Sequence, residues 1–302
     1  MAIDTLVSRI NSTKNPTCVG LDTLPEFLPG SPKFQSARQA ASAVLEFNLR
    51  ITDALANVVP AVKVQIACYE MLGIPGLEAF AKTCAYAKSK GLTVIADAKR
   101  GDIGSTAGYY SRAFFTGTDL GETKLPPAFE CDFLTINGYL GADGIKPFAD
   151  AAKLAGKGLF VLVKTSNPSS GQLQDRQLSG GEETVYEAMA DIVSECGAEL
   201  TGSCGYSAVG AVVGATHSWQ AERLRKRFPS LFFLVPGYGA QGGTAKDAAV
   251  CFDQSGGGAI VNSSRGLLLA YRQQRYLGMT FDAAARAAAE DMRDDLSSAL
   301  KG

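Results

Sequence analysis

LTVIADAKRGD, residues 92–102, begins as a near-continuous apolar run and ends in a cluster of charge. A strand with one wet face alternates apolar and polar residues, whereas a strand covered on both faces reads as apolar throughout, as in a parallel sheet. Seven more such runs lie along the chain: TCVGL (17–21), AVKVQI (61–66), FLTIN (133–137), GLFVLVKT (158–165), VGAVVGAT (209–216), LFFLVPG (231–237) and GAIVNSS (258–264). Helical patterns fall between them at 35–56, 77–89, 141–155, 182–196, 218–228 and 243–253, with a long Ala-rich one at 280–300. The segment 104–131 reads as a helix and then a loop. Eight strands alternating with helices predict an α/β fold of the (β/α)8 TIM-barrel type, with a doubly wound open sheet as the alternative. No linker or composition shift divides the chain, so residues 1–302 read as a single domain.

Composition narrows the function. Of 302 residues, 46% are hydrophobic and 20% charged, and the net charge is −1. That is enough apolar material for a core, and it lacks the basic excess of a nucleic-acid binder. The apolar runs fall far short of the ~20 residues that cross a bilayer. The start, MAIDTLVSRINSTK, lacks the apolar stretch of a secretory signal, so a cytoplasmic protein is expected. The seven cysteines (18, 68, 84, 131, 196, 204, 251) form no CxxC pair and read as reduced core thiols. A single histidine, His217, excludes zinc sites built from several histidines. A structural or surface role is expected for it.

In such barrels chemistry sits at the C-terminal ends of the strands. There the chain places Asp22, Lys63, Asp97, Lys99, Asn137, Lys164-Thr165-Ser166-Asn167, Gly237–Gly243 and Asn262–Gly266. Asp97 and Lys99 are two apart on a strand and share a face. Burying such charges is costly unless they are paired, and an alternating Asp22–Lys63–Asp97–Lys99 array limits that cost. The array favours the ammonium form of its lysines, which speaks against an imine-forming lysine. It speaks for stabilising and then protonating negative charge on a substrate.

GYGAQGG after the seventh strand offers bare backbone N–H groups, and Arg265 at the next strand end offers a fork suited to phosphate. The same loop matches GxGxxG, but the next strand ends in NSSR where a dinucleotide fold wants an acid. After the fifth strand, 166–181 is long and polar, the composition of a lid over the site.

DAKRGDIGSTA (97–107), with Lys63 upstream and PGYGAQGG downstream, resembles the orotidine 5′-phosphate decarboxylase family, in its bacterial subgroup with the DAKRGDIGST form. GLD, KVQ, TSNP and SSRG extend the resemblance over essentially the whole chain. It implies a (β/α)8 barrel that converts orotidine 5′-phosphate to UMP with no metal or organic cofactor, as a homodimer. Lys63, Asp97, Lys99 and Asp102 are then the catalytic tetrad, with Asp102 entering the partner subunit's site and Lys99 protonating carbon 6. The resemblance puts Asp22, Lys63 and Thr106 at the ribose, Ser166 at the pyrimidine edge, and Gln241, Ser264 and Arg265 at the phosphate. The competing readings are a magnesium-dependent sugar-phosphate decarboxylase or synthase, an NADP-linked oxidoreductase using the glycine loop, and a non-catalytic nucleotide-phosphate binding barrel.

Overall fold

Eight parallel strands close into a barrel in the computed structural model, which describes residues 1–301. They are β1 (Thr17–Leu21), β2 (Ala61–Gln65), β3 (Thr93–Arg100), β4 (Phe133–Ile136), β5 (Gly158–Lys164), β6 (Ser207–Val213), β7 (Leu231–Val235) and β8 (Ala259–Ser263). Each pairs in parallel with its sequence neighbours, and β8 pairs with β1 to close the ring. The apolar runs are explained by this closure: every residue of β1, β4, β6, β7 and β8 is buried.

Glycines let the interior pack. Phe133 and Phe160 stack with ring centroids 5.0 Å apart. A Cβ on Gly158 would lie 2.4 Å from the Phe133 ring, and one on Gly210 would lie 2.9 Å from the Phe160 ring. Both strands therefore carry glycine where a neighbouring aromatic needs the volume.

Helices cover the outside. The helix Ala37–Leu55 starts at Ser36, whose hydroxyl accepts the Gln39 N–H, and it buries Ala40, Ala41, Val44, Phe47, Ile51 and Leu55 at helical spacing. Helices Val185–Cys196 and Ala245–Ala249 begin with capping boxes, Thr184 with Glu187 and Thr244 with Asp247. The last helix, Phe281–Ala299, buries a stripe of alanines beside Met292 and Leu296.

Three elements depart from the pattern read in the sequence. A helix at Ala2–Thr13 was not anticipated, although Ile3, Leu6, Val7 and Ile10 carry the helical spacing and pack on the core. Its Arg9 bonds the carbonyls of Ala56 and Pro60, so it packs at the N-terminal ends of the strands, away from the charged ends. The helix expected at 243–253 is only Ala245–Ala249. In 104–131, the helix Gly104–Ser111 runs into a π-turn at Arg112–Thr116, then a two-stranded antiparallel ribbon, Thr118–Asp119 with Lys124–Leu125. Among the described residues no helix is long and apolar enough to cross a membrane.

Candidate active site

Asp97 organises the C-terminal mouth of the barrel. One carboxylate oxygen accepts from Lys99 Nζ at 2.5 Å and Thr135 Oγ1 at 2.9 Å. The other accepts from Lys63 Nζ at 2.6 Å and Gln65 Nε2 at 2.9 Å. A carboxylate has about four lone-pair sites, so Asp97 is saturated. Burial alone would raise its pKa, but Lys63 and Lys99 outweigh that and hold the carboxyl well below the usual range. Asp97 is therefore a fixed anion and has no lone pair left to serve as a general base.

The charges continue in a row. Lys63 also donates to Asp22 at 3.2 Å, and Ser264 donates to the other Asp22 oxygen at 2.8 Å. Burial pulls the Lys63 ammonium down, but Asp22 and Asp97 outweigh it and push its pKa well above the usual lysine range. The order is Asp22–Lys63–Asp97–Lys99, alternating in sign across three neighbouring strands. Ser264 reaches Asp22 because residue 20 is glycine: a Cβ there would lie 1.9 Å from the Ser264 hydroxyl oxygen.

The two lysines differ in access. The Lys63 side chain is 6% exposed and the Lys99 side chain 45%. Lys99 has φ +47°, a left-handed conformation rare outside glycine, at a point where the pairing of β3 with β4 shifts register. Its N–H donates to Thr135 Oγ1 at 3.0 Å, which holds the backbone in this turn. Thr135 thus fixes both ends of the Asp97–Lys99 pair.

A cavity of about 770 Å³ lies over this row. Asp22, Lys63, Asp97 and Lys99 line it, together with Ser166, Gln241, Ser264 and Arg265. Cys68 is also in the wall; burial pushes its thiol up to about 11, so it is neutral and no nucleophile. The loop Gly237–Gly243 is folded by its own backbone bonds, Gly239 N–H to Gly243 and Gly243 N–H to Gly237. Gly237, Gly239 and Gly242 all have positive φ, and exposed Arg265 leans on the Ala240 carbonyl at 3.4 Å. The helix after this loop has five residues, and β8 ends without an acid, so the GxGxxG match is not part of a dinucleotide-binding unit.

Asp102 and Thr106 do not line their own cavity. Asp102 is half-buried, with its carboxylate on the Ile103 N–H at 2.8 Å, and Thr106 is exposed on the helix that follows. That helix has Ile103 as its N-cap and no side-chain cap bond, so Asp102 is not a helix cap.

Sequence reading missed Gln65 and Thr135, and placed Lys164 at a strand end without giving it a role. Each is a polar residue inside an otherwise apolar strand run, and that was the available signal. The loop 166–181, read as a lid over the site, is tied down at its base. Lys164 is fully buried and bonds Asp175 at 2.7 Å and Ser170 at 3.2 Å. His217 touches the same Ser170 hydroxyl at 3.1 Å, a structural role as expected for it.

A family model described as "Orotidine 5′-phosphate decarboxylase / HUMPS family" matches residues 15–276. The chain is 41% identical over 298 residues to the orotidine 5′-phosphate decarboxylase of Petrotoga mobilis, covering 99% of each chain. It is 41% identical over 302 residues to that of Clostridium acetobutylicum, covering 99% of this chain and all of the relative. Among solved structures, Leishmania donovani OMP decarboxylase superposes with a TM-score of 0.74 at 28% identity, over 100% of this chain and 99% of that one.

Proposed function

Since the chain belongs to the orotidine 5′-phosphate decarboxylase / HUMPS family, we propose that the Asp22–Lys63–Asp97–Lys99 row is its catalytic centre. The activity is that of a carboxy-lyase, orotidine 5′-phosphate to UMP, a step of pyrimidine nucleotide synthesis. The observation that carries the reading is the contrast between a saturated, buried Asp97 and the Lys99 ammonium it aims into the cavity at 2.5 Å.

The bond from carbon 6 to the carboxylate breaks, carbon dioxide leaves, and the electron pair stays on carbon 6. Lys99 lies beside this centre as a cation and delivers the proton that completes UMP; solvent restores the proton to Lys99. A preorganised cation is worth most where charge develops in the transition state, and Asp97 prevents it from wandering. Asp22 and Lys63 hold the ribose and Ser166 reads the pyrimidine edge. Gln241, Ser264 and Arg265 hold the phosphate, whose binding energy helps to organise the row. Each chain is read as one single-domain barrel acting in the cytoplasm.

Asp102 and Thr106 belong in this reading to the site of a second copy. Apolar exposure supports it: Tyr139 is 74% exposed, Tyr109 60% and Ile103 56%. The Asp102 backbone also lies against Gly144 beside Leu140, itself 48% exposed, so exposed apolar side chains flank Asp102. A two-fold contact through this patch would put Asp102 of each chain at the other's cavity.

Two tests follow from the site. Arg265→Ala should cost the roughly 1.5–3 kcal/mol typical of a hydrogen bond to a charged group, about 10- to 150-fold in kcat/KM. The loss should be absent with the phosphate-free nucleoside orotidine; an equal loss on both substrates would place the phosphate elsewhere. Activity in excess EDTA should equal that without it, because two ammonium groups already neutralise the carboxylates that would attract a divalent ion. A requirement for added magnesium would instead fit the sugar-phosphate lyases.

A further inference from the structure

Lys164 ends β5 with its side chain fully buried, yet it is absent from the cavity wall that Leu162, Val163, Thr165 and Ser166 supply. It faces the loop instead. Its ammonium bonds Asp175 Oδ1 at 2.7 Å and Ser170 Oγ at 3.2 Å, and lies 5.9 Å from the Tyr186 ring centroid. We propose that Lys164 and Asp175 form a clamp that positions the Ser166 wall of the substrate cavity, making Lys164 a positioning residue for the base-binding side.

The connection runs through neighbouring residues. Asp175 follows Gln174, whose amide accepts the Thr165 N–H at 3.0 Å and donates to the Thr165 hydroxyl at 2.8 Å. Thr165 leads directly into Ser166. The Ser166 carbonyl accepts from Thr216 at 3.2 Å. A Cβ on Gly214 would lie 2.8 Å from Ser166 Cα, so the next strand end presses close to the same residue. Ser166 is therefore set between a fixed strand end and a loop whose position Asp175 decides.

His217 closes the arrangement. Lys164 donates to the Ser170 oxygen, which leaves the Ser170 hydroxyl proton for His217 Nε2. That order needs a neutral imidazole, and burial together with the Lys164 charge lowers the His217 pKa. A buried lysine beside a polar loop is otherwise an expensive feature, so its placement calls for a role beyond holding the strand end.

The clamp rests on the reading of the cavity as the orotidine 5′-phosphate site. The experiment compares Asp175→Ala, Asp175→Glu, Lys164→Met and the double variant Lys164→Met/Asp175→Ala. Asp175 is 38% exposed at its side chain, so its removal leaves the chain able to fold. Asp175→Ala should raise KM about tenfold and weaken UMP binding alike, with kcat within about threefold, the size of one net hydrogen-bonded contact. Asp175→Glu should restore KM. In Asp175→Ala the buried ammonium is stranded and the melting temperature falls; in the double variant the melting temperature recovers but KM stays high. Trp219, the sole tryptophan, lies in a surface groove with Asp175 and Arg176, and its fluorescence should change on UMP binding in the wild type and less in the variants. An unchanged KM in a folded Asp175→Ala protein overturns the clamp, as does a KM that recovers together with the melting temperature. A wild type that leaves orotidine 5′-phosphate unreacted overturns the cavity assignment and the clamp with it.

Discussion

Lys99→Ala should lower kcat on the order of 10⁴-fold, since it removes a positioned proton donor and a preorganised cation together. The effect should fall on turnover far more than on binding. On the proposed mechanism the Lys99 interaction grows as the electron pair localises on carbon 6, and loss of a group of that kind lowers kcat without a matching change in KM. Asp97 keeps its bonds from Lys63, Gln65 and Thr135 in the variant, so the carboxylate stays paired and the fold stays intact. UMP affinity should therefore stay within about an order of magnitude of wild type, the scale of one lost charged contact. Steady-state kinetics and UMP titration of the purified variant check both halves. A variant that turns over at close to the wild-type rate would remove Lys99 from the chemistry and leave the row as a structural ion-pair chain.

Asp97 explains why so much of this site was legible. Charge inside an apolar strand run is a strong signal, because burial is tolerated only with partners. The runs around Asp22, Lys63, Asp97 and Lys99 each carry such a charge within or just past a strand, and barrel closure brings these strands side by side. Strand spacing alone gave Asp97 and Lys99 a common face. It did not give the left-handed turn at Lys99, which arises where β3 slips against β4 and which the Thr135 hydroxyl stabilises. Neutral polar residues are quieter signals. Gln65 and Thr135 look like ordinary strand residues until the carboxylate they saturate is located.

Lys164 shows the limit differently. It stands near a strand end like Lys99, and the bulge in its pairing with β6 accompanies its turn to the loop and not to the cavity. The Ala2–Thr13 helix was legible, since Ile3, Leu6, Val7 and Ile10 form a stripe at helical spacing, but the segment was weighed only as a possible secretory signal. Eight strands, in contrast, were marked by runs that no exposed segment would carry.

Asp102 gives the second large effect, in a mixing experiment. Asp102→Ala and Lys99→Ala proteins should each be inactive alone, and equal mixtures allowed to exchange subunits should recover roughly a quarter of wild-type activity. Random pairing makes half of all dimers mixed. In each mixed dimer, one cavity has Lys99 from one chain and Asp102 from the other, and the second cavity has neither. The basis is where the side chain sits. Asp102 lies past the end of β3, outside its own cavity, and its only protein partner among the described residues is the adjacent Ile103 N–H. It does not cap the helix that follows, which leaves a half-buried carboxylate with spare lone pairs beside an exposed apolar patch. On the proposed dimer, a two-fold contact would bring this carboxylate to the partner's lysine row, where its spare lone pairs would accept from an ammonium group. Failure to recover activity, with exchange demonstrated by differently tagged subunits, would mean that one chain builds each site entire and that Asp102 acts on its own barrel or not at all.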